Sequence, residues 1–257
     1  MSLEKRKAGA IIQARMGSSR LPGKVMMPIL GKPLIGHMID RLRQAKLVDP
    51  IIVATSIDEA NNILCDYLDN IGVTVFRGSE NDVLARFYEA AKKYNLKYIV
   101  RLTADCPLID PNIVDQYVSK FFMSGADHLC GTSLLAEGLD TEVFSFNALK
   151  DAFLQAKKRS EREHVTQYFH NNSEIFKLVK IENKTDDSNY RITVDEPADF
   201  EVVKNIFAAL YVDQNHFFDI TAIKQFLDKH PEIRSLNSSI VRNEGLLKSL
   251  SDDFEGG

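Results

Sequence analysis

The sequence predicts an open, mostly parallel, doubly wound α/β sheet with helices on both faces. Three observations carry that expectation. Short apolar runs recur from Ala8 to about Thr132, helical patterns lie between them, and neither a low-complexity linker nor an internal repeat breaks the alternation. Near-continuous apolar strands suit a parallel sheet buried on both faces. Strand–helix–strand units at this spacing close as right-handed crossovers.

The strand candidates are Ala10–Ala14, Ile51–Thr55, Val73–Phe76 and Tyr98–Leu102. Between them Pro33 opens a helix at a first-turn position, with Leu34, Met38, Leu42 and Ala45 on one face. A second helix follows Asn81, placing Val83, Leu84, Phe87, Ala90, Ala91 and Tyr94 together, and a third follows Pro111. Beyond Thr132 the pattern is less regular. Thr141–Phe146, Phe176–Ile181 and Tyr190–Val194 read as strands. Asn147 to His170 reads as one or two helices, and Pro197–Leu210 and Ile220–Lys229 as further helices. Phe144, Phe146, Tyr168 and Phe169 read as core. One compact domain is expected, with a substrate-side region inserted or appended.

Length and charge narrow the function. A chain of 257 residues, 44% hydrophobic and 26% charged, buries a substantial core. Its net charge of −4 argues against a nucleic-acid partner, because duplex affinity is largely phosphate neutralisation. Cys65, Cys106 and Cys130 are widely spaced and show no zinc-ligand spacing, which fits a reducing cytoplasm. The charged start, Met1 to Lys7, and the short apolar run after it suit neither a signal peptide nor a membrane helix.

The turn after the first strand carries the chemistry. It runs Arg15-Met16-Gly17-Ser18-Ser19-Arg20-Leu21-Pro22-Gly23-Lys24. In open α/β sheets the first strand–helix turn is a preferred phosphate site. Glycines let main-chain N–H groups approach phosphate oxygens, while arginine and lysine supply charge. Neither a Walker loop nor a GxGxxG fingerprint is present, which disfavours P-loop ATPases and dinucleotide dehydrogenases.

The stretch Ile11–Leu30, IIQARMGSSRLPGKVMMPIL, with Gly31-Lys32-Pro33-Leu34 after it, resembles the N-terminal signature of sugar cytidylyltransferases. These are the enzymes that activate Kdo and sialic acids, and the likeness is nearest to the SpsF-type branch of spore coat polysaccharide biosynthesis. It continues through RLTADCPLIDP (Arg101–Pro111), GLDTEVFSF (Gly138–Phe146), REHVTQY (Arg162–Tyr168) and YRITVDEPADFE (Tyr190–Glu201). The resemblance implies a GT-A-like, nucleotide-diphospho-sugar transferase fold with one nucleotidyltransferase domain over 8–210. It places a substrate-side and dimerisation region at about 133–175, and leaves 211–257 as a helical tail. Arg15, Ser18, Arg20 and Lys24 would contact the CTP phosphates, with Gly17 and Ser19 in the same loop. Lys24 would lie nearest the leaving pyrophosphate, Gln13 would fill the position ahead of Ala-Arg, and main chain near Ala14 would help read the base.

Such a transfer needs charge neutralisation, usually by Mg²⁺ on carboxylates and phosphates. Asp105 lies just past the strand Tyr98–Leu102, and Pro107 keeps its segment out of a helix. Asp110, directly before Pro111, is the better helix cap, which leaves Asp105 for metal. Asp195 is the second metal candidate, although Asp195 or Glu196 also fits an N-cap before Pro197. On the sugar side Glu142, Arg162 and His164 are candidates; a solvated helix face is the competing reading for the latter two. The resemblance implies CTP and a 2-keto acid sugar or sugar phosphate as substrates, no membrane partner, and a homodimer through about Thr141–His170. A glycosyltransferase of similar open-sheet type and a nucleotide-binding subunit without turnover are the rival readings. Pyrophosphate release from CTP separates all three.

Overall fold

The computed structural model describes residues 6–212 and 217–255. Most of the charged start and six residues of the C-terminal stretch, 213–216 and 256–257, therefore lie outside the described residues. The strands are β1 (Ala8–Gln13), β2 (Pro28–Ile29), β3 (Lys32–Pro33), β4 (Val48–Ser56), β5 (Thr74–Gly78), β6 (Tyr98–Thr103), β7 (His128–Gly131), β8 (Glu142–Ser145) and β9 (Leu178–Ile181). The helices are α1 (Leu34–Leu42), α2 (Asn62–Asn70), α3 (Val83–Lys93), α4 (Pro111–Ser124), α5 (Phe146–Gln155), α6 (Arg159–Glu163) and α7 (Gln167–Asn171). They continue with α8 (Pro197–Leu210), α9 (Ile220–Lys229), α10 (Pro231–Arg234) and α11 (Glu244–Glu255).

Seven strands form one sheet in the order β5-β4-β1-β6-β8-β7-β9. β1 pairs in parallel with both β4 and β6, and β8 alone among the described strands of this sheet runs antiparallel to its neighbours. The expected doubly wound α/β architecture is what the chain adopts. Side-chain alternation explains the two cores. Ala10, Ile12, Val53, Val100, Leu102 and Val143 point into the core that includes α1, α4 and α8. Ile11, Ile52, Ala54, Ile99 and Phe144 point into the other, against α3 and α5. Both faces are apolar because both are covered.

Three expectations differ from the fold, and two elements were not expected. Pro33 is the second residue of β3 and stands just before α1, rather than inside its first turn. The Asn147–His170 stretch folds as three helices, with breaks at Ala156 and His164. β7 and α2 were not evident from the sequence. Tyr190–Val194 is extended and buried but does not join the sheet. It makes one bridge to Glu137, then the Val194 N–H donates to the Asp105 carbonyl at 2.7 Å. Gly138 permits that crossing. Its φ is +106°, and a Cβ there would meet the Thr193 nitrogen at 2.6 Å.

The stretch after Leu210 also adds to the body of the protein. Phe218, Ile223 and Leu227 are buried in the larger core, while α11 packs against α6. Among the described residues, no helix is long and apolar enough to cross a membrane.

Candidate active site

Ligand sites in open α/β sheets form at the carboxyl ends of strands flanking a change in connection order. Here β1 lies between β4 and β6, and its carboxyl end opens into a cleft of 340 Å³. Gln13, Ala14, Arg15, Gly17, Ser18, Ser19, Arg20 and Lys24 line it, with Asp105 from beyond β6 and Asp195 from the approach to α8. The structure thus brings together every residue expected of the phosphate loop with both expected metal carboxylates.

The Arg15–Lys24 loop folds on its own main chain. The Gly23 N–H donates to the Met16 carbonyl at 2.9 Å, and the Met16 N–H donates to the Asn61 side chain at 2.8 Å. Gly23 sits at φ +71°, a left-handed conformation in which a Cβ is strained. Among the described residues, the N–H groups of Gly17, Ser19 and Arg20 have no protein acceptor. The Gln13 Oε1 is buried without a partner as well. A buried oxygen such as that of Gln13 is ordinarily satisfied by something, whereas Gly17 and Ser19 are exposed and open to solvent or to an anion.

Lys24 follows the turn at the start of a one-turn 3-10 helix, Lys24–Met26. Its Nζ donates to the Val194 carbonyl at 2.7 Å and to Asp195 Oδ1 at 2.8 Å, and lies 3.5 Å from Asp105 Oδ2. Burial disfavours the ammonium, yet Asp105 and Asp195 outweigh it and hold its pKa above the usual lysine range. Asp105 mirrors this. Burial would raise it, but Lys24 and the Thr103 hydroxyl, at 2.5 Å, keep it below the usual carboxylate range.

The caps of both helices fall to residues other than Asp105 and Asp195. Asp110 caps α4 by accepting from the Asn112 N–H at 2.9 Å. Glu196, not Asp195, is the N-cap of α8. Asp195 is positioned by residues that the sequence did not single out. Arg191 pairs with Asp199 at 2.7 and 2.9 Å, and Asp199 accepts from the N–H groups of Asp195 and Glu196 at 2.9 and 3.0 Å. The signal was present as an Arg and an Asp eight apart around Pro197, a spacing that reaches across a helix start.

Arg15 and Arg20 are held loosely. Arg15 pairs with Glu80 at 2.9 Å, and Arg20 with Glu244 at 2.9 Å and Asp195 at 3.2 Å. Pairs this exposed contribute about 0–1 kcal/mol and yield readily to a multiply charged anion. Two further cations, Arg159 of α6 and Lys248 of α11, also line the cleft and went unnoticed in the sequence. Neither belongs to the β1 loop, and only the packing of α11 on α6 delivers them.

On the expected sugar side, Glu142 and His164 line a neighbouring cleft of 290 Å³ with Arg101, Asp140, Thr141 and Lys180. Arg101 pairs with Glu142 at 2.5 Å and, against the effect of burial, holds its carboxyl far below the usual range. Burial lowers His164, whose Nε2 lies 3.0 Å from the Ser249 hydroxyl of α11. Arg162 lines neither cleft. Its guanidinium is committed to Asp82, Nε at 3.0 Å, and to the Phe153 carbonyl at 2.8 Å. The expectation that Arg162 faces the acceptor is therefore corrected. Three of its five N–H donors are taken up by the cap of α3 and by a helix end.

Comparison with known proteins agrees with this geometry. A family model described as cytidylyltransferase matches residues 9–226. An uncharacterized protein of Methanocaldococcus jannaschii is 38% identical over 90% of this chain and 94% of its own length. The spore coat polysaccharide biosynthesis protein SpsF of Bacillus subtilis is 34% identical over 86% of this chain and 94% of its own. A solved cytidylyltransferase from Leptospira borgpetersenii superposes with a TM-score of 0.85 at 35% identity, covering 92% of this chain and all of that one. With a basic loop at the carboxyl end of β1 and carboxylates closing on its lysine, the chain belongs to the cytidylyltransferase family.

Proposed function

We propose that the protein transfers the cytidylyl group of CTP to an oxygen of an acidic or phosphorylated sugar, releasing pyrophosphate, with Mg²⁺ held by Asp105 and Asp195. The observation that carries this reading is the Lys24 ammonium within 3.5 Å of both carboxylates, at the inner end of a loop rich in cations and free N–H groups. Such a site binds an anion and a hard cation together.

The donor set suits that metal. Two carboxylates beside a phosphate cleft offer oxygen ligands, the preference of Mg²⁺. When bound, Mg²⁺ neutralises phosphate charge and acidifies the attacking hydroxyl. The chain's own residues do the rest. The sugar hydroxyl gives up its proton to solvent and its oxygen forms the new bond to the α-phosphorus, as the bond to the β-phosphate oxygen breaks with its electron pair leaving on pyrophosphate. Lys24, freed from its carboxylates, meets the charge on the departing pyrophosphate, and Arg15 and Arg20 exchange their surface partners for phosphate oxygens. The N–H groups of Gly17, Ser19 and Arg20 add fixed dipoles, so catalysis is chiefly positioning and electrostatic preorganisation. Gln13 Oε1 offers an acceptor to a nucleobase amine.

The neighbouring cleft is the acceptor site in this reading. Arg101, Lys180 and His164 there suit an anionic sugar, and Glu142 suits sugar hydroxyls. A cytoplasmic setting is supported by three free, buried cysteines. The name of the Bacillus subtilis relative supports a role in surface polysaccharide synthesis. The test is a pyrophosphate-release screen with Mg²⁺ across four nucleoside triphosphates and a panel of 2-keto acid sugars and sugar phosphates. CTP with at least one anionic sugar is expected to release pyrophosphate. Release with no acceptor on the panel, or a nucleoside diphosphate as product, contradicts the reading.

A further inference from the structure

A group of metal-ligating side chains lies apart from the nucleotide cleft. His128 and Cys130 stand two apart on β7, so both project to one face of the sheet. His170, from the end of α7, brings a second imidazole to that face, its ring centroid 5.2 Å from that of His128. One ligating atom from each of the three lies within 4.8 Å of the other two. None of them lines the nucleotide cleft, and the transfer reaction has no use for a thiol.

The hydrogen bonding of His128 supplies a second, independent observation. Its Nε2 lies 3.2 Å from a carboxylate oxygen of Glu142, which Arg101 in turn anchors at 2.5 Å. A carboxylate only accepts, so the proton belongs on Nε2, which leaves a lone pair on Nδ1. That Nδ1 is buried and has no hydrogen-bond partner among the described residues, and His128 as a whole is 0% exposed. A carboxylate-oriented imidazole with its other nitrogen unsatisfied is the usual outer support of a metal-bound histidine.

We propose that His128, Cys130 and His170 bind a thiophilic divalent cation of the zinc type, through Nδ1 of His128, Sγ of Cys130 and a ring nitrogen of His170. Two imidazoles and a thiolate select zinc or cobalt over magnesium. This ion is therefore distinct from the one that Asp105 and Asp195 would hold. Three protein ligands leave a fourth position, and Cys130 and His170 both line the cleft that holds Glu142 and His164, so that position faces a ligand-sized space. The exposed edge of His170 gives the ion its way in. The site stands whether or not the cytidylyl-transfer reading does.

The test titrates the full, chelator-stripped chain with Co²⁺ as a spectroscopic substitute for Zn²⁺. One Co²⁺ per chain is expected, with a thiolate-to-cobalt charge-transfer band in the near ultraviolet that Zn²⁺ abolishes and excess Mg²⁺ does not. Cys130→Ser is expected to remove the band while Cys65→Ser keeps it. His170→Ala alters an exposed residue and opens no core cavity, so it tests the site without unfolding it; Co²⁺ binding should weaken at least ~10-fold, since even supporting residues are worth that much. Absence of the band at saturating Co²⁺, or its persistence in Cys130→Ser, overturns the proposal. So does unchanged affinity in His170→Ala.

Discussion

Two clefts lie on either side of the contact between α6 and α11, and their polar groups are held in opposite ways. In the nucleotide cleft the two arginines are only lent to their partners, Arg15 and Arg20 making part-exposed pairs, while the firmly held Lys24 bridges two carboxylates that a metal would claim. In the neighbouring cleft Glu142 is locked by Arg101 and His128, and His164 touches Ser249. The first is a site preorganised for a charged visitor. The second is a stable framework whose ligand must fit what is already paired. Loss of a charge should therefore cost activity in the first cleft and stability in the second.

The largest effect is expected at Lys24. Lys24→Ala should lower kcat/KM for CTP by roughly 10²–10³, the scale of one preorganised electrostatic donor. Pyrophosphate release measures it, and near-normal turnover would break the comparison at its strongest point. Asp105→Asn should cost about as much, with the loss largely in kcat, because the carboxylate matters most when charge moves between phosphates.

Outside both clefts, Arg162→Ala should destabilise by about 1–3 kcal/mol, since Asp82 would lose a charged partner while still capping α3. Urea unfolding reports this, and KM for CTP should stay as it was. Glu142 gives the matching pH dependence. Its carboxyl lies below the ordinary value of 4.5 when folded, so the folded chain binds fewer protons there than the unfolded chain. The stability it contributes is complete above that value and drains away as pH falls beneath it. Glu142→Gln should flatten the acid limb of a stability–pH curve; an unchanged limb would mean that other carboxylates set it.

The smallest effect separates two glycines of the loop. A Cβ at Gly17 meets no atom within 4 Å, whereas Gly23 needs its φ of +71°. Gly17→Ala should leave the melting temperature alone and raise KM for CTP. Gly23→Ala should cost about 1–2 kcal/mol in folding. If Gly17→Ala leaves KM unchanged, the main chain there does not approach phosphate.

The contrast also explains what the sequence revealed. The nucleotide cleft is built from consecutive residues after one buried strand and from two carboxylates at predictable ends, so Arg15, Lys24, Asp105 and Asp195 could be read directly. Their convergence rests on strand order, which apolar periodicity conveys well. What escaped was long-range packing. Arg159 and Lys248 reach the cleft only because α11 folds back onto α6, and no local pattern encodes that return. Arg162 misled for the same reason, since its partner Asp82 is remote in sequence. Tyr190–Val194 has the apolar content of a strand, yet the Gly138 crossing and Asp105 take up its hydrogen bonds instead of a ladder.

The most direct measurement is calorimetric titration of CTP, with and without Mg²⁺, into the wild-type chain and into Asp105→Asn/Asp195→Asn. Convergence of Lys24 and both carboxylates on one metal-bound triphosphate predicts that Mg²⁺ strengthens CTP binding in the wild type. In the double variant that gain should vanish, while metal-free binding is retained or improved because two repelling charges are gone. If Mg²⁺ strengthens binding equally in both chains, Asp105 and Asp195 do not hold the metal, and the account of the cleft is contradicted.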